Sequence, residues 1–307
     1  MSAAGKTFES GRLSRALPGR KAFSFDQGMK YFLRFNASVA VIVVFAMILF
    51  LLEEGYPFFL EYPVWSLFGT EWAPYLDVGA EYGIIPLFLA SFWAVAVSMI
   101  FALPMGVCAA LYISEVAGSG ERTFLKNFVE ILASFPSVVL GFFALAVIAP
   151  LVQEVFGLAS GLTLFTAAIV LSVMALPTVI SVSEDAIRNV PIEYKRASLA
   201  LGASRLSTLL RVTLPAAKKG VIAAFMLGIG RVIGETMAVL MVAGGSPGIP
   251  KSPFSPGRPM TAAIASEAGE VPWHTAHYSA LFIIGAILFF ITLGINLVII
   301  RVTSRKR

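Results

Sequence analysis

Residues 182–219 read VSEDAIRNVPIEYKRASLALGASRLSTLLRVTLPAAKK, with seven basic side chains set between two apolar runs, Gly161–Ser181 and Gly220–Ala243. A membrane helix needs about 20 mostly apolar residues to cross about 30 Å of hydrocarbon. Both flanking runs reach that length, so the basic stretch is a loop joining two spans. Working outward, four more runs complete the set: Ala37–Leu52, Ile84–Ile113, Ile131–Val152 and Ser279–Ile300. The spacing predicts an all-α polytopic membrane protein with six transmembrane helices. Composition agrees: 58% of the 307 residues are hydrophobic and 13% are charged, against about 25% charged in a soluble domain. The second run exceeds the bilayer requirement and is expected to tilt or project, with Pro86 marking its start and Pro104 a kink.

Charge sets the orientation. Residues 1–36 carry seven Lys/Arg, loop 114–130 two, loop 182–219 seven and tail 301–307 four. The loop at 53–83 has no basic residue and six acids, and loop 244–278 has only Lys251 and Arg258. Basic residues collect at alternate ends, as the positive-inside rule requires. Residues 1–36 are therefore read as a cytoplasmic segment, 37–52 as the first span, 53–83 as an extracytoplasmic loop, 84–300 as the main transmembrane domain and 301–307 as a cytoplasmic tail. Both termini are cytoplasmic. The net charge of +5 is then a topological collar, not a nucleic-acid surface. A basic stretch followed by an apolar run imitates a signal peptide, but Glu53 and Glu54 follow without a small-residue cleavage pattern, so the first span is read as uncleaved.

Loop 182–219 has its own pattern. Pro191 suits a first helical turn, with Asn189 a capping candidate, and Ile192–Leu201 reads as a helix. Gly202 ends it and Ser204 caps the next, Arg205–Leu214, which stops near Pro215. Leu206, Leu209 and Leu210 share one face of that second helix. Physics alone leaves two uses open: a hairpin lying on lipid or a docking element for another protein. The order Ala197, Ser198, three residues, Gly202, nine residues, Val212, one residue, Leu214, Pro215 resembles the EAA loop of ABC-importer permeases. Arg196 stands where that family usually has Glu. The resemblance implies a type I ABC importer permease fold in which this loop forms a cytoplasmic coupling helix that docks on an ATPase.

Span five holds the only basic residue inside a predicted span, Arg231, with Glu235 four residues on. On a continuous helix this spacing places both on one face, where they can pair. Charges at membrane depth are expected to face a bundle interior or a wet cavity. Gly230 and Gly234 offer a close-packing helix face. The run Arg231-Val232-Ile233-Gly234-Glu235-Thr236-Met237-Ala238-Val239 resembles the phosphate-specific ABC permeases, and its continuation favours the PstC type over its partner, PstA. Trp72-Ala73-Pro74, Tyr82 to Pro86, Leu132 to Gly141, Glu267 and Asn296 fit the same family. The resemblance implies a phosphate pathway using Arg231, Glu235 and Thr236, with Arg231 attracting the anion and Glu235 neutralising it when the path is empty. It implies four partners: a PstA-like second permease, a PstB-like ATPase dimer, a PstS-like extracytoplasmic phosphate-binding protein and membrane lipid. ATP and Mg are expected on the ATPase, with no cofactor, metal or nucleic acid on this chain.

Other signals have plainer readings. Gly5, Lys6 and Thr7 lack the upstream glycine of a phosphate-binding loop. His274 and His277 have metal-like spacing without further ligands and read as loop histidines. Cys108 reads as a small apolar residue, and Glu184-Asp185 as solvated capping charge. The remaining alternatives are an ABC permease for sulfate or molybdate, a secondary anion transporter and a membrane enzyme. The last two lack inverted repeats, a proton relay or a catalytic constellation.

Overall fold

The computed structural model describes residues 21–75 and 79–304. The phosphate-loop-like Gly5, Lys6 and Thr7, most of the basic N-terminal collar and residues 305–307 lie outside the described residues. Among the described residues, five helices are long and apolar enough to span a membrane, or six if one bent pair counts as a single span. The chain divides into two compact units, residues 1–50 and 51–307.

In the first unit, helix α1 (Lys21–Gly55) begins. Its apolar side chains, including Phe32, Phe35, Ile42 and Phe45, are exposed. For a helix of this hydropathy lipid is the natural solvent, because its backbone polar groups are satisfied internally.

The second unit is a helical bundle. Its main elements are α2 (Ile85–Val116), α3 (Ser119–Ser134), α4 (Ser137–Phe156), α5 (Leu164–Arg188), α6 (Ile192–Ala200), α7 (Arg205–Ala216), α8 (Lys218–Ile233), α9 (Met237–Val242), α10 (Met260–Glu267) and α11 (Ala276–Ser304). A two-residue antiparallel ladder pairs Trp72 with Tyr82. The central core is built largely of small residues: Ala90, Ala94, Ala102, Ala167, Ala175 and Ala238 are all buried. In lipid there is little hydrophobic drive between helices, so close van der Waals approach supplies the cohesion, and small side chains permit it.

Glycine makes the closest approach at Gly106 of α2. A Cβ built there would lie 2.6 Å from Val179 Cγ1 on α5. The expected packing pair differs: a Cβ on Gly230 would meet nothing within 4 Å, and one on Gly234 only the carbonyl of Gly230 at 3.8 Å. Among the described residues Gly230 and Gly234 therefore form no helix-packing face, and Gly228, whose Cβ would stand 3.0 Å from Val179 Cγ2, does so instead. Gly106→Val is expected to destabilise the detergent-solubilised chain by about 1–3 kcal/mol through overpacking. Gly230→Ala is expected to be neutral or stabilising by up to about 1 kcal/mol through helix propensity. Thermal unfolding of the two variants checks the contrast.

Two predicted spans are redrawn. The third was expected at Ile131–Val152, but Ile131–Ser134 closes the amphipathic α3 and the span begins at Ser137. The cause is Pro136, which forces Phe135 into extended backbone (ψ 129°) and separates the two helices. The fifth was expected as one helix over Gly220–Ala243. Instead α8 ends at Ile233, Gly234-Glu235-Thr236 breaks the helix, and α9 resumes at Met237. At its other end α8 meets α7 at a bend of 69°.

Candidate functional site: a basic break in span five and its connections

The break carries the polar chemistry. Arg231 lies in the last turn of α8 and is exposed. Among the described residues it makes no ion pair or hydrogen bond to a side chain. Glu235 lies beyond the helix end, so the i, i+4 pairing expected from an unbroken helix does not form. Its Oε1 accepts instead from the backbone N–H of Ala238 at 3.3 Å, the first free turn of α9. Losing the helix leaves main-chain groups without intrahelical partners. One of them, the Glu235 carbonyl, accepts from Thr261 Oγ1 at 2.9 Å. Thr236 Oγ1 donates to the Gly234 carbonyl at 3.3 Å. The three expected pathway residues thus sit together at one break, with no ion pair to Arg231 among the described residues.

A large cavity nearby is not an anion site. It encloses about 760 Å³ against Phe88, Phe92, Val95, Met99, Phe225 and Ile229. The only hydroxyl among its lining side chains, Ser91 Oγ, already donates to the Leu87 carbonyl and accepts from the Met260 N–H, and an unpaired buried charge costs several kcal/mol or more. The exposed Arg231 side of α8 is the better surface for an oxyanion.

The loop between spans four and five supplies the second functional element. Gly202 has φ +84°, the left-handed region that favours glycine, and ends the turn after α6. Ser204 Oγ accepts from the N–H of Ser207 at 3.2 Å and caps α7. Asn189 closes α5 instead of starting α6, and Pro191 immediately precedes α6. Two tethers hold α6 in place: Lys195 pairs with Glu115 at the end of α2, and Ser198 Oγ lies 2.9 Å from Thr208 Oγ1. Several apolar side chains of α6 face outward: Ile192, Tyr194 and Leu199 are exposed, and Leu201, just past its end, is 90% exposed. Arg196 and Ala197 are exposed on the same helix. Leu206 and Leu210 are also exposed, whereas Leu209 packs half-buried against the cluster that contains Ile187 and Val190. Leu214 and Pro215 form the elbow after a π-helical stretch at Leu209–Thr213, where the chain turns into α8.

Two polar groups depart from their sequence readings. Glu184 is only 2% exposed, and its Oε2 lies 2.7 Å from Lys126 Nζ, so it is a buried ion-pair partner and not a solvated cap. His277 is not a plain loop histidine: its Nε2 lies 2.7 Å from Glu267 Oε2. Trp72 Nε1 donates to both Glu267 oxygens at 3.1 Å, and Arg258 Nη1 donates to Oε1 at 2.6 Å. The sequence contained these residues but not their convergence, since Trp72 and Glu267 are 195 positions apart.

Burial pushes the Glu267 carboxyl up, but the hydrogen bonds from His277 and Trp72 and the charges of His277 and Arg258 outweigh it and hold the group below 4.5. A depressed carboxyl stabilises the fold above its unfolded value, and that contribution is lost as pH falls through the folded value. In a variant retaining Trp72 as its sole tryptophan, fluorescence is expected to change as pH falls below the ordinary glutamate range and the Glu267 carboxylate takes up a proton. That acid change is expected to be absent in Glu267→Gln, and its absence from the parent contradicts the assignment.

These features define a class. Residues 102–305 match the binding-protein-dependent transport system inner membrane component family, and the chain belongs to it. Among individual relatives, the probable ABC transporter permease protein YqgH of Bacillus subtilis (strain 168) is 32% identical over 274 residues, covering 88% of each chain. The phosphate transport system permease protein PstC of Pasteurella multocida (strain Pm70) is 32% identical over 295 residues, covering 85% of this chain and 90% of that one. PstC 2 of Mycobacterium tuberculosis (strain ATCC 25618 / H37Rv) is 31% identical over 281 residues, covering 84% and 86%.

Solved structures agree on the fold. A chain of the bacterial alginate ABC transporter, in complex with an alginate pentasaccharide-bound periplasmic protein, superposes with a TM-score of 0.61 at 16% identity, covering 92% of this chain and 97% of that one. A chain of the MetNI methionine ABC transporter in an inward-facing form gives 0.53 at 19% identity, covering 72% and 97%. The fold is that of a type I ABC importer permease. The chain is an inner-membrane permease component, and its class works with an ATPase and a substrate-binding protein.

Proposed function

We propose that this chain is the PstC-like subunit of an ATP-driven importer and forms part of the route by which inorganic phosphate enters the cell. The observation that carries the reading is Arg231: a cation in an apolar helix, exposed on the isolated chain and without a counter-ion among the described residues. A charge at membrane depth costs roughly 2.5–3.5 kcal/mol on insertion scales, so it belongs against a water-filled path or another subunit. Phosphate supplies the missing negative charge, and a guanidinium suits its oxygens as a two-pronged donor. The likeness to chains named PstC points the same way.

In this account a PstA-like permease faces Arg231 and completes the path. A PstB-like ATPase dimer binds ATP and Mg and receives α6 with its apolar side chains. Hydrolysis thus happens off this chain, which needs no cofactor of its own. A PstS-like binding protein delivers phosphate at the end bearing Trp72 and Glu267. Glu235 holds the start of α9 in this conformation, so its role is to shape the break. The quickest test is purification of the tagged chain from its native membrane. An ATPase subunit should accompany it in stoichiometric amount; recovery of the intact chain without any ATPase would remove the importer reading.

A further inference from the structure

We propose that Glu267 is a positioning residue for the break in span five, acting through α10 as a rigid rod. This inference rests on the transport reading for its purpose, but its geometry stands independently. Glu267 ends α10 and gathers donors from three other places in the chain: Trp72 of the first loop, Arg258 before α10, and His277 at the start of α11. At the opposite end of the same helix, Thr261 Oγ1 donates to the Glu235 carbonyl at 2.9 Å. The neighbouring Met260 N–H donates to Ser91 Oγ of α2 at 2.9 Å. Between these ends lie eight helical residues, about 12 Å of stiff backbone. Met260, Ala262 and Ala263 are buried and Ile264 packs half-buried against the same core, so the first half of the rod is held by packing and the far end by the Glu267 contacts.

The chemistry at each end is selective. Trp72 is fully buried, so its indole N–H needs an acceptor inside the fold. An ionised carboxylate has two oxygens and about four acceptor sites, enough for Trp72, Arg258 and His277 together; Gln has one acceptor oxygen. At the other end, the Glu235 carbonyl is a group the break itself sets free, and the Thr261 hydroxyl occupies it. Moving the Glu267 junction therefore moves the polypeptide that carries Glu235 and Thr236, next to Arg231. Trp72 and Arg258 both belong to loops joining spans at one end of the bundle. A partner that shifts those loops acquires a mechanical path to the pathway residues without touching them.

The test places a reporter at the break. Thr236→Cys is introduced with Cys108→Ser, and the complete complex is labelled with 2-aminoethyl methanethiosulfonate. Glu267→Ala and Thr261→Val cut the rod at opposite ends. Each is expected to change the labelling rate at position 236 about tenfold in the same direction, and the double variant to change it no further. Glu267→Asp restores part of the parent rate, whereas Glu267→Gln does not. Thr261→Val differs by one hydroxyl and keeps the test open if Glu267→Ala fails to fold. Additive effects, or parent labelling rates in Thr261→Val, overturn the rod. Labelling needs no substrate: expected labelling in a complex that moves another anion sinks only the phosphate reading, and phosphate uptake with unchanged labelling sinks only the rod.

Discussion

Phosphate uptake is expected to fall about a hundredfold in Arg231→Gln, with the complex still assembled. Removing one well-placed donor to a charged transition state commonly costs 10²–10³-fold. The barrier here is passage of an anion through an apolar bundle, and Arg231 is the group that lowers it. Because the guanidinium is exposed and makes no ion pair or side-chain hydrogen bond among the described residues, its loss breaks no network described in the structure. Folding and assembly should survive, which separates this result from a structural defect. Arg231→Lys keeps the charge but loses the planar fork, so uptake should fall less, by about tenfold. Initial rates in proteoliposomes, normalised to assembled complex, provide the measurement. Parent-level uptake in assembled Arg231→Gln would exclude a pathway role.

The second large effect belongs to the coupling helix. Leu201 is 90% exposed, and Ile192, Tyr194 and Leu199 of α6 are exposed as well; a leucine left in water gains about 1.5–3 kcal/mol on burial. If this surface fills a cleft in the ATPase, Leu201→Asp should weaken ATPase binding roughly 10–150-fold by loss of that burial alone. Ile192→Asp should behave alike. The internal tethers of α6, Lys195 to Glu115 and Ser198 to Thr208, are untouched by either change, so the helix itself stays formed. Titration of the purified permease with the ATPase subunit measures the affinity. Unchanged affinity in both variants would move the docking surface elsewhere, with the exposed Leu206 and Leu210 the next faces to test.

Much of this architecture is visible in the sequence because lipid imposes a simple rule: long apolar runs become helices. The run at 279–300 falls within a helix of the structure, and the runs at 84–113 and 161–181 do so apart from their first one and first three residues. Capping chemistry is legible for a similar reason, since Gly202 and Ser204 act through their own backbone neighbourhood. What hydropathy misses is interruption. Pro136 divides an apolar stretch that reads as continuous, and Gly234 with Glu235 breaks span five, where a helical projection makes Arg231 and Glu235 partners. Glycine is equally ambiguous. The spacing of Gly230 and Gly234 suggests packing, while the close approaches occur at Gly106 and Gly228, set by partners on another helix.

The polar network was the least legible part. Glu184 and Asp185 are adjacent, yet burial picks out Glu184 alone to face Lys126. His277 looked unremarkable until the fold brought it to Glu267. Long-range convergence leaves no local spacing to read, and the Glu267 junction draws on residues from position 72 to position 277.

The central claim is ATP-driven phosphate import through this chain. Its most direct measurement is uptake of labelled phosphate into proteoliposomes holding the complete complex and its binding protein, with sulfate and molybdate as competitors. Uptake is expected to require ATP, to be blocked by excess unlabelled phosphate and to be unaffected by sulfate or molybdate. Uptake without ATP, or a preference for either competing anion, would contradict it.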